Sequence, residues 1–311
     1  MNEFDTNIYD ILIIGGGAAG MTAALYSLRS GKSVLLIEKE TIGGQISKSP
    51  RVENFPSIKE ISGTEFSDKL FDQIMDLGCE FELDTVLSVN KENNLFTVTG
   101  EYNNYLAKAV IIATGLEHRK INIEHEDELI GKGVSYCAVC DGAFYKDEDV
   151  CLVGDANTAL QYSILLSNYC KKVYVCTLFD KFFGDDVLVN RLKSRNNIEI
   201  IHNVSLQQFK FNDELEGLVF KNTKNDSIVE LDVKGCFIAI GQIPKNDIFS
   251  NLVELDKNGY ILVDNDLQSK TEGLFVAGDC RQKKVRQLTT AVSDGAMASV
   301  GAVSYIDKNF E

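Results

Sequence analysis

A chain of 311 residues, 44% of them hydrophobic, can bury one large core or two moderate ones, and common domain sizes favour two. Its formal net charge of −15 argues against nucleic acid as a partner, because phosphate binding needs concentrated Lys and Arg. No apolar run is long enough to span a bilayer and the acidic start lacks the basic region of a signal peptide, so we expect a cytoplasmic protein without membrane association.

The first predicted elements are a buried strand, a glycine-rich turn and a helix, in the segment 10–31. Gly15, Gly17 and Gly20 satisfy G-x-G-x-x-G, whose glycines permit the turn, the approach of a pyrophosphate and tight helix-to-strand packing. The next strand, SVLLIE, ends at Glu38, where an acidic residue holds ribose hydroxyls. We therefore predict a dinucleotide with an unphosphorylated ribose, as in the adenosine half of FAD.

Two short segments follow this unit, TIGGQIS at 41–47 and VENFP at 52–56. The two glycines beside Gln45 suit a loop that passes close to a flat ligand, and Asn54 offers an amide to a polar ring edge. Taken from the residues alone, both segments are only turns. Contact with a ligand is a hypothesis at this point.

Cys137 and Cys140 are the two closely spaced cysteines of the eight in the chain. Their C-x-x-C spacing lets two thiols close a small ring and interchange between dithiol and disulfide, and Asp141 follows where a carboxylate can carry the proton of a leaving thiolate. Half a zinc site and two unrelated buried cysteines are the structural alternatives. We expect no metal, because the three histidines provide no second ligand pair. The cysteines predicted to be buried and inert are Cys79, Cys151, Cys170, Cys176, Cys236 and Cys280.

An internal repeat begins after the two cysteines. Residues 149–168 again read as strand, turn and helix, and the strand KVYVC follows. Buried strands that run into glycine turns bracket this repeat at 109–115 and 273–280. The sequence therefore predicts an α/β fold with two Rossmann-like dinucleotide-binding domains of the three-layer ββα type, the second inserted into the first. We place the discontinuous FAD-binding domain at 1–116 and 246–311, and the inserted domain, with the C-x-x-C, at 117–245.

Seven segments make the chain recognisable: GGGAAG, GGQIS, VENFP, ATG, CAVCDG, AIGQIP, and AGDC followed by RQLTTAVSDG. In this order they resemble the low-molecular-weight bacterial thioredoxin reductases over essentially the whole chain. The resemblance implies a homodimeric FAD enzyme that reduces thioredoxin through Cys137 and Cys140, with a rotation between its two domains. It places Cys140 nearer the flavin and makes Asp141 the acid. It also implies FAD contacts at Gly15, Gly17, Ala18, Ala19, Glu38, Gly44, Gln45, Asn54, Val86, Ala113, Gly115, Asp279, Arg286 and Gln287.

The inserted domain departs from this family. Common members bind NADPH with a G-x-G-x-x-A turn and an H-R-R-x-x-x-R cluster. Here the turn beginning at Gly154 carries Ala156, whose methyl group stands where pyrophosphate must approach, and Asp155 adds negative charge. The residues at the positions of the basic cluster contain no guanidinium for a 2′-phosphate, so we expect poor NADPH binding. They are Thr177, Leu178, Phe179 and Phe183.

This combination resembles the ferredoxin-dependent flavin thioredoxin reductases of anaerobic bacteria. It implies ferredoxin as the electron donor, with flavodoxin as a possible substitute. The alternatives are an NADPH- or NADH-dependent reductase with an atypical site and a flavin-bearing dithiol sensor. A second flavin stacked on Leu178, Phe179 and Phe183 in the vacated site also stays open.

One basic cluster is a candidate docking surface for an acidic ferredoxin, because oppositely charged patches steer association. The cluster lies near the flavin motif that includes Arg286. A solvated basic loop is the alternative interpretation. The basic cluster consists of Arg281, Lys283, Lys284 and Arg286.

Overall fold

The computed structural model describes residues 4–49 and 52–310. The chain divides into two compact units, the first formed by Met1–Glu117 and Ile243–Glu311 and the second by His118–Gln242. The two segments that cross between them, β7 and β16, pair with each other as a two-stranded ribbon. The described helices are α1 (Ala18–Arg29), α2 (Gly63–Met75), α3 (Ala138–Asp141), α4 (Asn157–Leu166), α5 (Asp186–Lys193) and α6 (Leu288–Asn309).

The strands are short in most of the chain and longest in β1 and β6. They are β1 (Phe4–Ile14), β2 (Val34–Glu38), β3 (Glu80–Leu83), β4 (Val86–Glu92), β5 (Leu95–Gly100), β6 (Asn104–Ile112), β7 (Glu117–His118), β8 (Val134–Ser135), β9 (Asp149–Val153), β10 (Lys172–Cys176), β11 (Ile198–Ile201), β12 (Val204–Phe211), β13 (Leu215–Asn222), β14 (Ile228–Asp232), β15 (Gly235–Ile238), β16 (Gln242–Ile243), β17 (Glu254–Leu255), β18 (Ile261–Leu262) and β19 (Leu274–Val276).

The first unit is built on a sheet in the order β3-β2-β1-β6-β5-β4. Strand β19 also pairs with β6, at Val110–Ile112, beyond the part of β6 that pairs with β5. Strands β1, β2, β3, β6 and β19 are parallel, whereas β4, β5 and β6 form an antiparallel meander. Side chains alternate along β1: Ile11 and Ile13 pack towards α1 and α6, and Leu12 and Ile14 pack towards the meander. This alternation gives the unit a layer on each face of its parallel strands.

The second unit repeats this arrangement. Its parallel sheet has the order β11-β10-β9-β15-β8, and the antiparallel sheet β12-β13-β14 lies beside it. Val150 and Leu152 of β9 pack with α4 and α5, while Cys151 between them packs with the antiparallel sheet. Both units therefore have helices, a parallel sheet and an antiparallel layer, and the predicted α/β fold class is confirmed.

The strand-turn-helix patterns predicted at 10–31 and 149–168 are also found. Helix α1 begins at Ala18, inside the G-x-G-x-x-G motif, because the glycine turn leads directly into its first residue. The six cysteines outside the C-x-x-C are buried, as predicted. Within residues 4–49 and 52–310, no helix has the length and apolar character needed to cross a membrane, and no group of three metal-ligating side chains comes together.

Candidate flavin and dithiol sites

The predicted flavin contacts in the first unit gather at the carboxyl edge of the parallel strands. The backbone N–H of Gly15 donates to Ile37 O at 2.8 Å, and that of Ala113 donates to Ile14 O at 2.8 Å. The residue that follows β1 is thus bonded to the end of β2, and the residue that follows β6 to the end of β1. Because dinucleotides bind at this edge of an α/β sheet, the placement suits a cofactor site.

The three glycines of the motif are required for different structural reasons. Gly15 has a φ of +113°, and a Cβ there would overlap with the carbonyl oxygen of Ala113. A Cβ on Gly20 would overlap with the Gly15 carbonyl oxygen, whereas the nearest described atom to a Cβ on Gly17 is Gly43 O at 4.0 Å. The first and third glycines permit packing, and the middle glycine leaves open space at the start of α1. The first-turn N–H groups of α1, those of Ala18 and Ala19 included, suit an anion there.

Glu38 is fixed beside this turn by backbone hydrogen bonds. Its Oε2 accepts from Gly16 N at 2.7 Å, and its Oε1 accepts from Lys39 N at 2.8 Å and from Glu40 N at 3.0 Å. A carboxylate has about four lone-pair positions, so Glu38 keeps capacity for a ribose hydroxyl. The turn between β3 and β4, which leads to Val86, is tied to the same place, since Asp84 N donates to Glu38 O at 2.9 Å.

The GGQIS segment also lies against the glycine turn. Gly43 N donates to Gly16 O at 2.8 Å, and Gly44 begins a short 3-10 turn. Gln45 Nε2 donates to Leu116 O at 3.2 Å. Gly115 has a φ of +66°, and a Cβ there would have no described atom within 4 Å. Gly115, just after β6, is therefore a second position with open space beside its backbone.

Asp279 follows β19 and carries a buried polar atom. Its Oδ1 has no hydrogen-bond partner among the described residues, and the nearest cation, Lys283 Nζ, is 3.6 Å away. Burial raises the pKa of Asp279, and Lys283 and Arg286 offset part of that rise. A buried acceptor of this kind is suited to a sugar-alcohol hydroxyl. Asn54 and Gln287, which come from two different predicted flavin motifs, contact each other in the structure. Asn54 Nδ2 donates to Gln287 Oε1 at 3.3 Å.

These features fit a flavin dinucleotide. The open cradle at Gly17 and the start of α1 would hold the pyrophosphate, Glu38 the ribose and Asp279 a hydroxyl of the ribityl chain.

The basic cluster predicted as a docking surface needs correction. Arg281 donates to Asp294 through Nε at 2.8 Å and Nη2 at 2.7 Å, and Lys283 Nζ donates to the same carboxylate at 2.9 Å. Lys283 and Asp294 have side chains only 6% and 5% exposed. The guanidinium of Arg286 lies 4.2 Å from the ring centre of Tyr260. Three of the four cations therefore hold the fold together, and Lys284 is the exposed member.

In the second unit, Cys137 and Cys140 form a disulfide with Cα atoms 5.3 Å apart. They follow the short strand β8, and Cys137 is the N-cap of the four-residue helix α3. The backbone N–H of Cys140 donates to Cys137 Sγ at 3.2 Å, a contact that favours a thiolate on Cys137 when the bond is reduced. Val139, between the cysteines, is 46% exposed. The sequence-predicted pair is thus together and close to the surface of its unit.

Asp141 is joined to the cysteines by a residue that the sequence analysis missed. Ser135 Oγ donates to Asp141 Oδ2 at 2.6 Å and accepts from Cys137 N at 3.0 Å. Burial raises the pKa of Asp141, and the hydrogen bond from Ser135 offsets part of this rise. A raised pKa brings a carboxyl group closer to the range in which it exchanges protons near neutral pH. No sequence pattern points to Ser135, because a serine at the end of a short strand is not distinctive.

The second glycine turn, at the start of α4, is covered by a neighbouring loop. Phe183 N donates to Asp155 O at 2.8 Å, and Asp185 N donates to Asn157 Oδ1 at 2.7 Å. A Cβ on Gly184 would lie 3.2 Å from Asn157 N and would overlap with the Leu160 side chain. Residues 183–185 therefore pack directly on the first turn of α4. Burial raises the pKa of Asp155 in this turn.

The same loop presents exposed aromatic side chains. Phe179 is 49% and Phe183 55% exposed, and their rings meet edge to face at 5.3 Å. Leu178 is also 49% exposed, and Lys181 lies over the Phe183 ring at 5.2 Å. Thr177 is buried and its hydroxyl donates to Phe179 O at 2.7 Å. One lysine and no arginine stand between 177 and 186.

Comparisons with known proteins agree with this architecture. A family model described as pyridine nucleotide-disulphide oxidoreductase matches residues 9–295. Thioredoxin reductases of Peptoclostridium acidaminophilum and Listeria monocytogenes are 35% and 37% identical, each over 98% of this chain and over 99% and 96% of their own lengths. The crystal structure of thioredoxin reductase from Streptococcus pyogenes is 35% identical, with a TM-score of 0.93 over 97% of this chain and 99% of that one.

A match to the family model over most of the chain, with relatives above 30% identity along nearly its full length, is decisive for membership. This chain belongs to the pyridine nucleotide-disulphide oxidoreductases and, within them, to the family of low-molecular-weight thioredoxin reductases.

Proposed function

We propose that this protein is an FAD-dependent thioredoxin reductase that receives single electrons from reduced ferredoxin, with flavodoxin as a possible substitute, and acts as a cytoplasmic homodimer. The first unit would bind FAD through the residues predicted from the resemblance. The second unit would carry electrons on Cys137 and Cys140. Family membership supports the reductase activity, and the covered turn at α4 supports the choice of donor.

The dithiol would perform the reduction by thiol-disulfide exchange. One thiolate of the Cys137–Cys140 pair attacks the disulfide of thioredoxin, and the second thiolate then closes the enzyme disulfide and releases the reduced product. Two electrons and two protons pass to thioredoxin. Asp141 would accept the proton of an enzyme thiol and return it to the leaving sulfur, which its buried position and raised pKa support.

FAD, when bound, supplies the conversion between a one-electron donor and the two-electron chemistry of a disulfide. The driving force is adequate. A plant-type ferredoxin has a reduction potential of about −400 mV and thioredoxin one of about −270 mV, so the transfer of two electrons releases about 6 kcal/mol.

The observation that carries the choice of donor is the first turn of α4. In a nucleotide domain this turn should offer open N–H groups to a pyrophosphate. Here Gly184 and Asp185 pack on Asn157, and Asp155 places a carboxylate in the same turn. No arginine stands in the following loop to pair with a 2′-phosphate. These contacts argue against a pyridine nucleotide at this turn unless the loop moves.

A second candidate is an NADPH- or NADH-dependent thioredoxin reductase. The family model carries the pyridine nucleotide in its description, and Lys181 is a cation in the loop beside the turn. In this alternative, residues 183–185 would swing away from α4 to admit the nucleotide.

Anaerobic spectroscopy with the holoenzyme separates the two donors. Reduced ferredoxin should bleach the flavin absorbance rapidly, whereas NADPH and NADH should leave it unchanged over the same time. Rapid bleaching by NADPH without bleaching by ferredoxin would contradict the proposed donor. The Cys140→Ser variant is the matched control, since its flavin should still be reduced while thioredoxin reduction is lost.

Extraction of the flavin tests the cofactor assignment. We expect one FAD per chain, held in the first unit. Two flavins per chain would instead favour occupation of the aromatic surface at Phe179 and Phe183.

A further inference from the structure

We infer that Ser135 is a positioning residue for the dithiol chemistry, because its hydroxyl joins the backbone of Cys137 to one oxygen of Asp141 and so presents the other oxygen for proton exchange. This inference rests on the proposed function of Cys137, Cys140 and Asp141. It concerns a residue that contacts the proposed acid without exchanging electrons itself.

The directions of the two hydrogen bonds follow from the groups involved. The N–H of Cys137 can only donate, so Ser135 Oγ accepts from it at 3.0 Å. The hydroxyl hydrogen of Ser135 is then available to Asp141 Oδ2, 2.6 Å away. Since Oδ2 accepts this hydrogen, the acid proton of Asp141 belongs on Oδ1.

The second oxygen of Asp141 is placed for that role. Oδ1 is buried and has no hydrogen-bond partner in the part of the chain that the structure describes. A buried acceptor without a partner destabilises the fold, so its presence calls for an explanation such as a functional role. Ser135 itself is only 5% exposed, so water cannot readily replace its hydroxyl.

The surroundings of Asp141 make this single hydrogen bond important. The titratable groups that sense its charge are the phenols of Tyr145 and Tyr162, which come from the turn after α3 and from α4. Burial first, and then the Asp141 charge, raise the pKa of both phenols, so both are neutral near pH 7. Among the groups that act on Asp141, Ser135 is the one that favours its ionised form. Loss of the hydroxyl should therefore raise the pKa of Asp141 further.

The test uses holoenzyme reduced beforehand with dithionite, so that the natural donor is irrelevant. Single-turnover reduction of thioredoxin is measured against pH for wild type, Ser135→Ala, Ser135→Thr and Asp141→Asn. General acid-base groups contribute about 100-fold or more, so Asp141→Asn should lose at least that factor. Ser135→Ala should lose roughly 10-fold, with its alkaline limb moved to higher pH because Asp141 stays protonated for longer.

Ser135→Thr keeps a hydroxyl and should restore both the rate and the position of the pH profile. A Ser135→Ala profile that is lowered equally at every pH, without a shift, would overturn the inference and leave a packing role. Circular dichroism and flavin content confirm that each variant is folded.

A second measurement separates failure of this inference from failure of the proposed function. Alkylation of the reduced Cys137–Cys140 pair by iodoacetamide needs no thioredoxin, and its pH dependence reports the thiolates. If wild type fails to reduce thioredoxin, the proposed function is wrong, yet the alkylation profiles still test Ser135. A shift in Ser135→Ala that Ser135→Thr reverses supports the inference, and identical profiles for all three proteins overturn it.

Discussion

Asp294 shows how a single buried carboxylate organises charges that looked like a surface patch. Burial pushes the pKa of Asp294 up, but hydrogen bonds from Arg281 and Lys283 outweigh burial and hold the pKa below its usual value. Its Oδ2 also accepts from Gly278 N at 3.1 Å, which links α6 to the turn after β19. The cluster therefore fixes the loop that carries Asp279.

Replacement of Asp294 by Asn should destabilise the protein by about 3 kcal/mol at neutral pH, because two cations lose their counter-charge in a buried place. The pKa of Asp294 is lower in the folded than in the unfolded chain. Its stabilisation is therefore complete above the unfolded value of 3.8 and is lost as the pH falls through the folded value. Thermal unfolding of both proteins against pH should show the difference shrinking in acid.

The matched control is Glu65→Gln, which breaks the exposed pair between Glu65 and Lys69. Exposed i,i+4 pairs contribute only about 0.3–0.5 kcal/mol, so this variant should unfold almost like wild type. Equal effects of the two substitutions would contradict the structural role of Asp294.

Asp141 should have the opposite pH dependence. Burial raises its pKa in the folded chain, so its ionised form opposes folding, and stability falls as pH rises from the usual value of 3.8 through the raised one. At neutral pH the free energy of unfolding of Asp141→Asn should therefore exceed that of wild type by on the order of 1 kcal/mol, and the variant should unfold at a higher temperature. Its reduction of thioredoxin should be lost. At pH values below 3.8 the two proteins should converge. A variant that is less stable at neutral pH would contradict this account.

At the scale of elements, two substitutions in the glycine turn before α1 should distinguish its role in FAD binding from its role in stability. Gly17→Ala adds a methyl group to open space at the N-cap of α1, so the apoprotein should lose at most about 1 kcal/mol of stability while FAD binds far more weakly. Gly20→Ala forces a Cβ against the Gly15 carbonyl and should cost about 1–3 kcal/mol. Thermal unfolding of the apoprotein and FAD titration measure the two effects. Unchanged FAD affinity in Gly17→Ala would remove this turn from the proposed site.

The same elements show what the sequence could predict. Strand-turn-helix patterns are local, so the residues from 10 to 31 and from 149 to 168 were identified from periodicity and glycine positions, and the fold class followed from their repetition. The motif residues also pointed to one edge of the sheet. Their roles in binding FAD stay predictions, as do the functional assignments of the two domains.

Contacts between distant segments were not predictable from these patterns. Asp294 is on α6, 13 residues after Arg281, and nothing in the local sequence indicates that it neutralises Arg281 and Lys283. The packing of Gly184 and Asp185 on α4 is equally hidden, because a loop rich in polar residues carries no periodicity. Side-chain hydrogen bonds depend on tertiary placement, which residue spacing alone does not specify.

At the scale of the whole molecule, a net charge of −15 should oppose the approach of an acidic ferredoxin. Long-range repulsion is strongest at low salt, because the screening length is about 30 Å at 0.01 M ionic strength. It is weaker at 0.15 M, where the screening length falls to about 8 Å. Productive docking of the proposed ferredoxin donor would therefore depend on local positive charge near the proposed flavin site. With Arg281 and Lys283 bound to Asp294, the exposed Lys284 is the cation of that loop best placed to act on a partner.

Lys284→Glu should slow ferredoxin-driven thioredoxin reduction several-fold at low salt, and the defect should narrow as salt screens the charge. Lys171→Glu changes the net charge equally, but it alters an exposed lysine of the second unit, so its rate should stay close to wild type. Turnover at subsaturating ferredoxin is compared at low and physiological ionic strength. Equal slowing by both substitutions would mean that net charge, and not a local contact at Lys284, controls the encounter.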